Sequence, residues 1–437
     1  MDATGIAEAV RSRRRSARSA VEEVYSQIDA WEPTIRAWQH LARESALAEA
    51  DAIDRALAAG APVGALAGVP IGIKDIIDVA GMPTTNGVPG GRTADLDAFA
   101  VARLRAAGAI VVGKTVTASF AFVDPPVTRN PYDPTRTPGG SSSGSGAAVG
   151  ARTVPVALGT QTAGSVLRPA SYCGAVGFKP TFGWTGRTGV TPLSPSLDHV
   201  GIICRSVRDA ALFFDLMAAE DPDDPSTRTV RPEGRRLLGL PEQPPRIGVV
   251  EATFDLTDAE TTLHTRQTLA VLEAAGAMLV PVVLPVAQMF AAQRVIMWTE
   301  AAAVHRDLTK FAEGLPTPML RDNLRIGSLI PGDFYLRADR LRRRHRLAVA
   351  DAMRGLDALA LPSTTTPAGA PATTGDRLLL APWSLLGTPA ISIPSGLSAE
   401  GLPLGLQLVG RRGADGDLLR VAAWAERRLQ PILPPAR

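Results

Sequence analysis

Three polar groups stand where polar groups are unusual. Lys74 sits in an apolar run, Gly68-Val69-Pro70-Ile71-Gly72-Ile73-Lys74-Asp75-Ile76-Ile77. Ser141, Ser142 and Ser143 follow the pair Gly139-Gly140, and Ser165 follows Gly164. A lysine in such a run either keeps its amine in water from an edge strand or loses that water. A desolvated amine favours its neutral form and becomes a competent general base. Serines beside glycines suit a site where backbone N–H groups approach a reacting group, because glycine has no Cβ to hold it away. His199 is the histidine nearest to these serines in sequence, and it reads as a loop or packing residue. Ser165 lies in Ala163-Gly164-Ser165-Val166-Leu167, which is not a G-x-S-x-G elbow. A Ser-His-Asp triad is therefore hard to build, and a serine–lysine pair remains as the route to an activated hydroxyl.

Residues 137–180 carry the serines in two small-residue turns, 137–146 and 159–165, around the short apolar strand Val154-Pro155-Val156-Ala157-Leu158. Two surface loops flanking a strand would share that composition, but a flexible linker has no reason to alternate with β-branched core segments. Upstream, Ile6, Val10, Val21, Val24 and Ile28 recur at helical spacing until Pro33, and residues 41–59 predict a second helix ended by Gly60. Residues 68–81 predict a strand with Lys74 in its middle. A helix over 97–107, strands over 110–112, 149–158 and 201–204, and a helix over 207–219 continue a βα alternation. Residues 221–245, rich in Asp, Pro and Arg, read as a surface connection. Beyond it come a strand at 246–251, a helix at 264–276 and a strand at 278–283. Residues 288–352 read as helical with breaks near 314–318 and 330–332. Strands at 356–362, 390–394 and 403–409 and a helix over 415–429 close the chain. This alternation predicts an α/β fold, one large domain over 1–437 with a central mixed β-sheet flanked by helices. Within it, 1–60 form N-terminal helices, 68–210 the catalytic core and 288–352 a helical cap-like insertion.

The totals narrow the function classes. Of 437 residues, 45% are hydrophobic and 20% charged, as expected of a globular protein with a substantial core. Forty-six basic against 43 acidic residues leave a net charge of +3, too small a surplus for a nucleic-acid footprint unless it clusters. The arginine-dense runs 11–18 and 337–346 read as solvated helix faces. Cys173 and Cys204 are too few for a disulfide framework and make no metal-ligand pattern with the five histidines, so no metal is expected. Cys173 reads as a packing residue and Lys179 as a structural lysine closing the same loop. No apolar segment follows the N-terminal arginines, so no secretory signal is expected. The uncharged stretch 274–292 holds Pro281, Pro285 and Gln288, which argues against a membrane span. A cytoplasmic location is the expectation.

Several motifs resemble the amidase signature family of serine hydrolases. They are Gly68-Val69-Pro70-Ile71-Gly72-Ile73-Lys74-Asp75, Pro138-Gly139-Gly140-Ser141-Ser142 and Gly159-Thr160-Gln161-Thr162-Ala163-Gly164-Ser165. Gly177-Phe178-Lys179-Pro180-Thr181, Ser196-Leu197-Asp198 and Gly401-Leu402-Pro403-Leu404-Gly405-Leu406-Gln407-Leu408 follow in the family's order. The separation of Ser141 and Ser165, 24 positions, agrees with the family pattern. The resemblance implies a Ser–cis-Ser–Lys triad with Ser165 as nucleophile, Ser141 as a bridging serine after a non-proline cis peptide, and Lys74 as base. It implies an oxyanion hole from the backbone N–H groups of Thr162, Ala163, Gly164 and Ser165.

Two departures bear on substrate. Many family members carry an aspartate where Gln161 stands and a glycine at Ala163, and place an arginine two residues after the nucleophile, where this chain has Leu167. Arg168 comes one residue later, a form that resembles the malonamidase-like branch, in which the corresponding arginine can hold a substrate carboxylate. Arg168 and Gln161 are thus expected at the substrate, the alternative for Arg168 being a brace on loop carbonyls. Residues 117–126, 298–305 and 314–335 are candidate pocket walls. The implied activity is hydrolysis of a small-molecule amide through a seryl acyl-enzyme, releasing ammonia or an amine, with no cofactor, nucleic acid or membrane partner and room for a homodimer. Carbamate (urethane), anilide or ester hydrolysis on the same triad, or the A-type subunit of a tRNA-dependent amidotransferase, are the alternatives.

Overall fold

The structure, a computed structural model, describes residues 2–228, 243–308 and 317–435. Its first strands are β1 (Trp38–Leu41) and β2 (Val69–Lys74), followed by the two-residue strands β3 (Pro83–Thr84) and β4 (Arg92–Thr93), which form a small separate ribbon. Then come β5 (Ala109–Thr115), β6 (Val156–Gln161), β7 (Val176–Lys179), β8 (His199–Cys204), β9 (Arg246–Val250), β10 (Met278–Val282), β11 (Ala358–Pro362), β12 (Ala390–Leu397) and β13 (Pro403–Val409). All but β3 and β4 join one large mixed sheet in the order β1-β5-β2-β6-β8-β7-β12-β13-β11-β9-β10. β5, β2 and β6 run parallel towards one end, as do β11, β9 and β10 at the other, and the remaining pairs are antiparallel. Helices cover the sheet, and β2, β5 and β6 are buried along their whole length, as their β-branched runs require.

Two neighbouring parallel strands set the site. β2 and β6 pair with Ile71 opposite Val156 and Ile73 opposite Leu158. Their last residues, Lys74 and Gln161, therefore leave the sheet at the same edge, the carboxyl end where loops of parallel strands converge. Lys74 ends β2; it does not sit in the middle of a longer strand, because the backbone turns at once, with the Ile76 and Ile77 N–H groups donating to the Lys74 carbonyl. Pro70 is tolerated in this inner strand because the β6 pairing begins only at Ile71.

The largest departure from expectation is at residues 143–150. They form a helix, Ser143–Gly150, with every residue buried, and not a turn. Their helix propensity is low, yet only small residues fit. A Cβ on Gly144 would meet the Ala37 carbonyl oxygen at 2.2 Å, and one on Gly150 the Cys173 carbonyl oxygen at 2.3 Å. Ser145 fixes the helix to the sheet, its hydroxyl donating to the Leu158 carbonyl at 2.9 Å. Packing overrides propensity here.

Other differences are local. The N-terminal pattern splits into helices Ala3–Arg11 and Ala17–Ile35, because Ser16 caps the second by accepting from the Ser19 N–H. Pro33 lies within the last turn of that second helix and does not stop it. Of the stretch 221–245, residues 229–242 lie outside the described residues. Asp221 and Asp224 are buried, not solvated, and Asp224 pairs with Arg187 at 2.8 Å. Across 288–352 run the helices Val286–Val304, Pro318–Ser328 and Gly332–Ala352, and the break expected at 314–318 lies partly outside the described residues. The arginine runs meet carboxylates at the surface, as in Arg18–Glu22 and Arg343–Asp339. No helix among the described residues is long and apolar enough to cross a membrane.

Candidate active site

Lys74 has no solvent exposure. Its Nζ donates to Ser141 Oγ at 2.8 Å and to Thr160 Oγ1 at 2.8 Å, with the Thr160 carbonyl at 3.5 Å. Burial holds the amine well below the ordinary lysine range; the Asp198 carboxylate pulls it back up and the Arg168 guanidinium lowers it further. The groups in hydrogen-bond range are neutral oxygens, which do not compensate a buried cation. That environment favours the neutral amine over the charged one, the form that can take a proton. The peptide bond between Gly140 and Ser141 is cis.

Ser165 lies in the turn that leaves β6, beside this pair. Every carbonyl of that turn is engaged by the protein. Thr162 O accepts from Gln293 Nε2 at 3.1 Å and Ala163 O from Ser384 Oγ at 3.0 Å. Gly164 O accepts from the Arg168 N–H at 2.9 Å and Ser165 O from the Ser142 N–H at 3.3 Å. The N–H groups of Ala163, Gly164 and Ser165, by contrast, donate to no acceptor among the described residues. With its carbonyls tied back, the turn presents free donors that need no reorganisation when negative charge develops in front of them. Gly164 is required by crowding, since a Cβ there would meet Leu380 Cδ1 at 2.7 Å.

The Ser165 hydroxyl makes no hydrogen bond among the described residues, and the residue keeps slight exposure. It borders a narrow cavity walled by Phe122, Leu193, Met297, Arg168 and Arg377. The structure thus joins Lys74 to Ser141 by a hydrogen bond and ties Ser165 to Ser142 through the backbone, leaving the Ser165 hydroxyl free. A larger cleft of about 280 Å³ shares Ala121, Thr162 and Leu193 with the cavity and reaches Thr160, Asp198 and Arg187.

The two residues expected at the substrate have protein partners. Gln161 is fully buried; its Oε1 accepts from the Val166 and Leu167 N–H groups, each at 3.0 Å, and its Nε2 donates to Ser384 Oγ at 3.2 Å. Arg168 donates through Nη1 to the carbonyls of Gly375 at 2.8 Å and Asp376 at 3.0 Å, and through Nη2 to the Gly140 carbonyl. Its Nε has no partner among the described residues. Of the candidate walls, 117–126 supplies Ala121 and Phe122, while 298–305 begins one residue beyond the wall residue Met297. Within 314–335, residues 314–316 lie outside the described residues, and none of the rest lines this cavity. His199 is buried with Nδ1 at 2.6 Å from the Leu197 carbonyl, and burial holds it neutral. Burial pushes the Cys173 thiol up, whereas Lys179 donates to the Pro180 and Thr388 carbonyls.

Sequence reasoning missed the groups that brace the turn. Gln293 and Ser384 come from distant helices and carry no local signal. Asp198 belongs to a matched motif; it accepts from Thr162 Oγ1 at 2.5 Å and from the Leu193 and Ser194 N–H groups, tying the turn to the cleft wall. Burial raises its carboxyl to about 6. A second buried lysine, Lys114 in β5, pairs with Asp75 at 3.1 Å and donates to the Pro83 carbonyl and Thr84 Oγ1, each at 3.0 Å.

A buried lysine bonded to a serine hydroxyl, beside a second serine and free N–H donors, is an arrangement suited to a serine hydrolase that works without histidine. Residues 19–419 match the family Amidase, and the chain belongs to it. It is an amide-hydrolysing enzyme. The A subunit of the glutamyl-tRNA(Gln) amidotransferase of Picosynechococcus sp. is 34% identical over 472 aligned positions, covering 96% of this chain and 97% of that protein. An inhibitor-bound structure of a vestigial protein complex, bearing on the origins of an s-triazine catabolic enzyme, matches with a TM-score of 0.93 at 33% identity, covering 99% of this chain and 100% of that one. The peptide amidase of Stenotrophomonas maltophilia gives a TM-score of 0.88 at 30% identity, covering 100% and 98%.

Proposed function

We propose that this chain hydrolyses the amide bond of a small molecule through an acyl-enzyme on Ser165. The observation that carries this is the 2.8 Å hydrogen bond from a fully buried Lys74 to Ser141, next to a turn whose carbonyls are bonded and whose N–H groups are free. Ser165 Oγ attacks the carbonyl carbon while its proton passes to Ser141 and the Ser141 proton to Lys74. The oxyanion is met by the N–H groups of residues 162–165. Protonated Lys74 returns its proton through Ser141 to the departing nitrogen. Water then attacks the acyl ester by the same relay, giving a carboxylic acid and ammonia or an amine. Gln161 acts as a positioning residue for the turn. The helices of 288–352 act as a cap, with Gln293 and Met297 reaching the site from the first of them. The same relay serves carbamates, anilides and esters, since it does not choose the leaving group. The proposed setting is the cytoplasm.

A second reading, an A-type amidotransferase subunit that depends on other subunits, is favoured by the 34% identical relative of that name. The isolated chain, assayed against small amides, ureas, carbamates and anilides beside Ser165→Ala, separates the two. Hydrolysis by the wild type alone that vanishes in the variant supports the first reading. Activity that survives the substitution overturns the mechanism, and no turnover without added partners supports the second.

A further inference from the structure

The space beside Ser165 is too small for the reaction proposed there. It holds about 10 Å³, room for roughly one water, and a carboxamide group alone is larger than that. The adjoining cleft of about 280 Å³ is large enough for a small molecule, and its wall includes Thr160, whose hydroxyl is a partner of Lys74. Cleft and cavity share the wall residues Ala121, Thr162 and Leu193. For an amide in the cleft to reach Ser165, this shared wall must give way. Thr162 and Leu193 are fastened to one carboxylate: Thr162 Oγ1 donates to Asp198 at 2.5 Å and the Leu193 N–H donates to it at 2.8 Å. Gln293 holds Thr162 a second time, through its carbonyl at 3.1 Å. Ala121, by contrast, is bonded within its own turn, its N–H on the Ala118 carbonyl at 2.8 Å.

That turn is also the strained part of the wall. In Ser119–Ala121, both Phe120 (φ 48°) and Ala121 (φ 59°) lie in the left-handed region. Residues with a Cβ are disfavoured there, a bulky aromatic one most of all, and they persist where their surroundings hold them. Here the end of the cap helix Val286–Val304 does the holding. The Phe120 ring meets the His305 ring edge-on at 5.1 Å between centroids, and the Phe122 ring meets Trp298 at 6.5 Å. The Phe120 N–H donates to the Asn86 carbonyl at 2.8 Å. Resting on the hydrolase reading above, we propose that residues 119–122 are the gate of this active site, closed in this structure. Turning Phe120 and Ala121 out of the left-handed region withdraws Ala121 from the shared wall and joins cleft to cavity, so that an amide reaches Ser165. Opening releases the backbone strain and gives up the ring contacts with the cap. These terms oppose each other, which keeps both forms within reach.

Access to position 165 tests this without any turnover. In full-length Ser165→Cys, iodoacetamide alkylates the introduced thiol at a rate set by the open fraction. The native thiols of Cys173 and Cys204 are buried, and peptide mass spectrometry separates them from the introduced one. Adding Ala121→Gly removes the Cβ that makes the closed form costly, and is expected to slow alkylation roughly 5- to 30-fold, with a thermal midpoint at or above that of the parent. Adding Phe120→Val, whose branched side chain suits the left-handed region least and loses the ring contact, is expected to speed alkylation about threefold or more. In the otherwise native chain, Ala121→Gly is expected to lower kcat/KM for valeramide by a similar factor. Alkylation that ignores both substitutions, or that glycine speeds up, overturns the gate. Slowed alkylation with unchanged valeramide turnover takes the gate off the reaction path and overturns it as well. Absence of turnover by the wild type counts against the hydrolase reading alone, and the alkylation rates then decide whether residues 119–122 control access to position 165.

Discussion

Lys74 and Lys114 lie on adjacent parallel strands, both with side chains sealed from solvent, and they meet opposite surroundings. Lys114 faces the Asp75 carboxylate at 3.1 Å, with Thr84 and the Pro83 carbonyl taking its other protons. Lys74 faces two hydroxyls and no carboxylate in ion-pair range among the described residues. Burial lowers both amines, but at Lys114 the Asp75 charge works directly against that shift. One lysine is therefore a clamp that holds the start of the turn after β2, and the other is the proposed base. Burial alone does not make a catalytic lysine; the group it faces decides which it becomes.

The largest effect that bears on this contrast is expected at Lys74. Lys74→Met should lower kcat on the order of 10³- to 10⁴-fold, the scale of a lost general base, while the thermal midpoint stays or rises. Lys74→Arg should be as inactive, since a guanidinium stays protonated. Lys114→Met is the mirror image. It strands the Asp75 carboxylate in the interior and should cost about 3–5 kcal/mol of stability, read from urea unfolding, while the folded fraction keeps kcat within about tenfold. Equal activity losses in the two methionine variants would erase the distinction.

Ionisation gives a finer discrimination. The base works only when neutral, so activity should fall as pH drops through the lowered Lys74 pKa. The acid limb of kcat/KM should lie well below about 10.4, the ordinary lysine value. Thr160→Val removes an acceptor that favours the charged amine, and should move that limb to lower pH. Lys179 offers a smaller, structural control. Burial lowers it to about 7, against the opposing pull of Asp415. Between about 7 and 10 the unfolded chain then binds a proton that the folded chain does not, so stability relative to Lys179→Met should rise with pH across that window. A flat difference in urea midpoint over the same range would contradict the assignment.

Much of the site is legible in the sequence because its residues violate local expectation. A lysine in a β-branched run, and serines packed among glycines, need an explanation at once. The strands of the parallel segments are legible for the same local reason. The helix at Ser143–Gly150 is not, because its glycines and serines disfavour a helix in isolation and only the walls at Ala37 and Cys173 show why nothing larger fits. Arg168 is legible as a residue of interest but not as a brace, because two of the carbonyls it holds belong to Gly375 and Asp376, 207 and 208 positions away. Gln293 and Ser384 share that difficulty: their bracing of the turn exists only in the folded chain.

The most direct test of the central claim is covalent. A fluorophosphonate, which reacts with an activated serine hydroxyl, should add one equivalent to the wild type, and peptide mass spectrometry should place it on Ser165. Labelling should vanish in Ser165→Ala and slow about 100-fold or more in Lys74→Met, with Lys114→Met near the wild-type rate. An adduct on Ser141 or elsewhere, or labelling of Ser165 that ignores Lys74, would contradict the account.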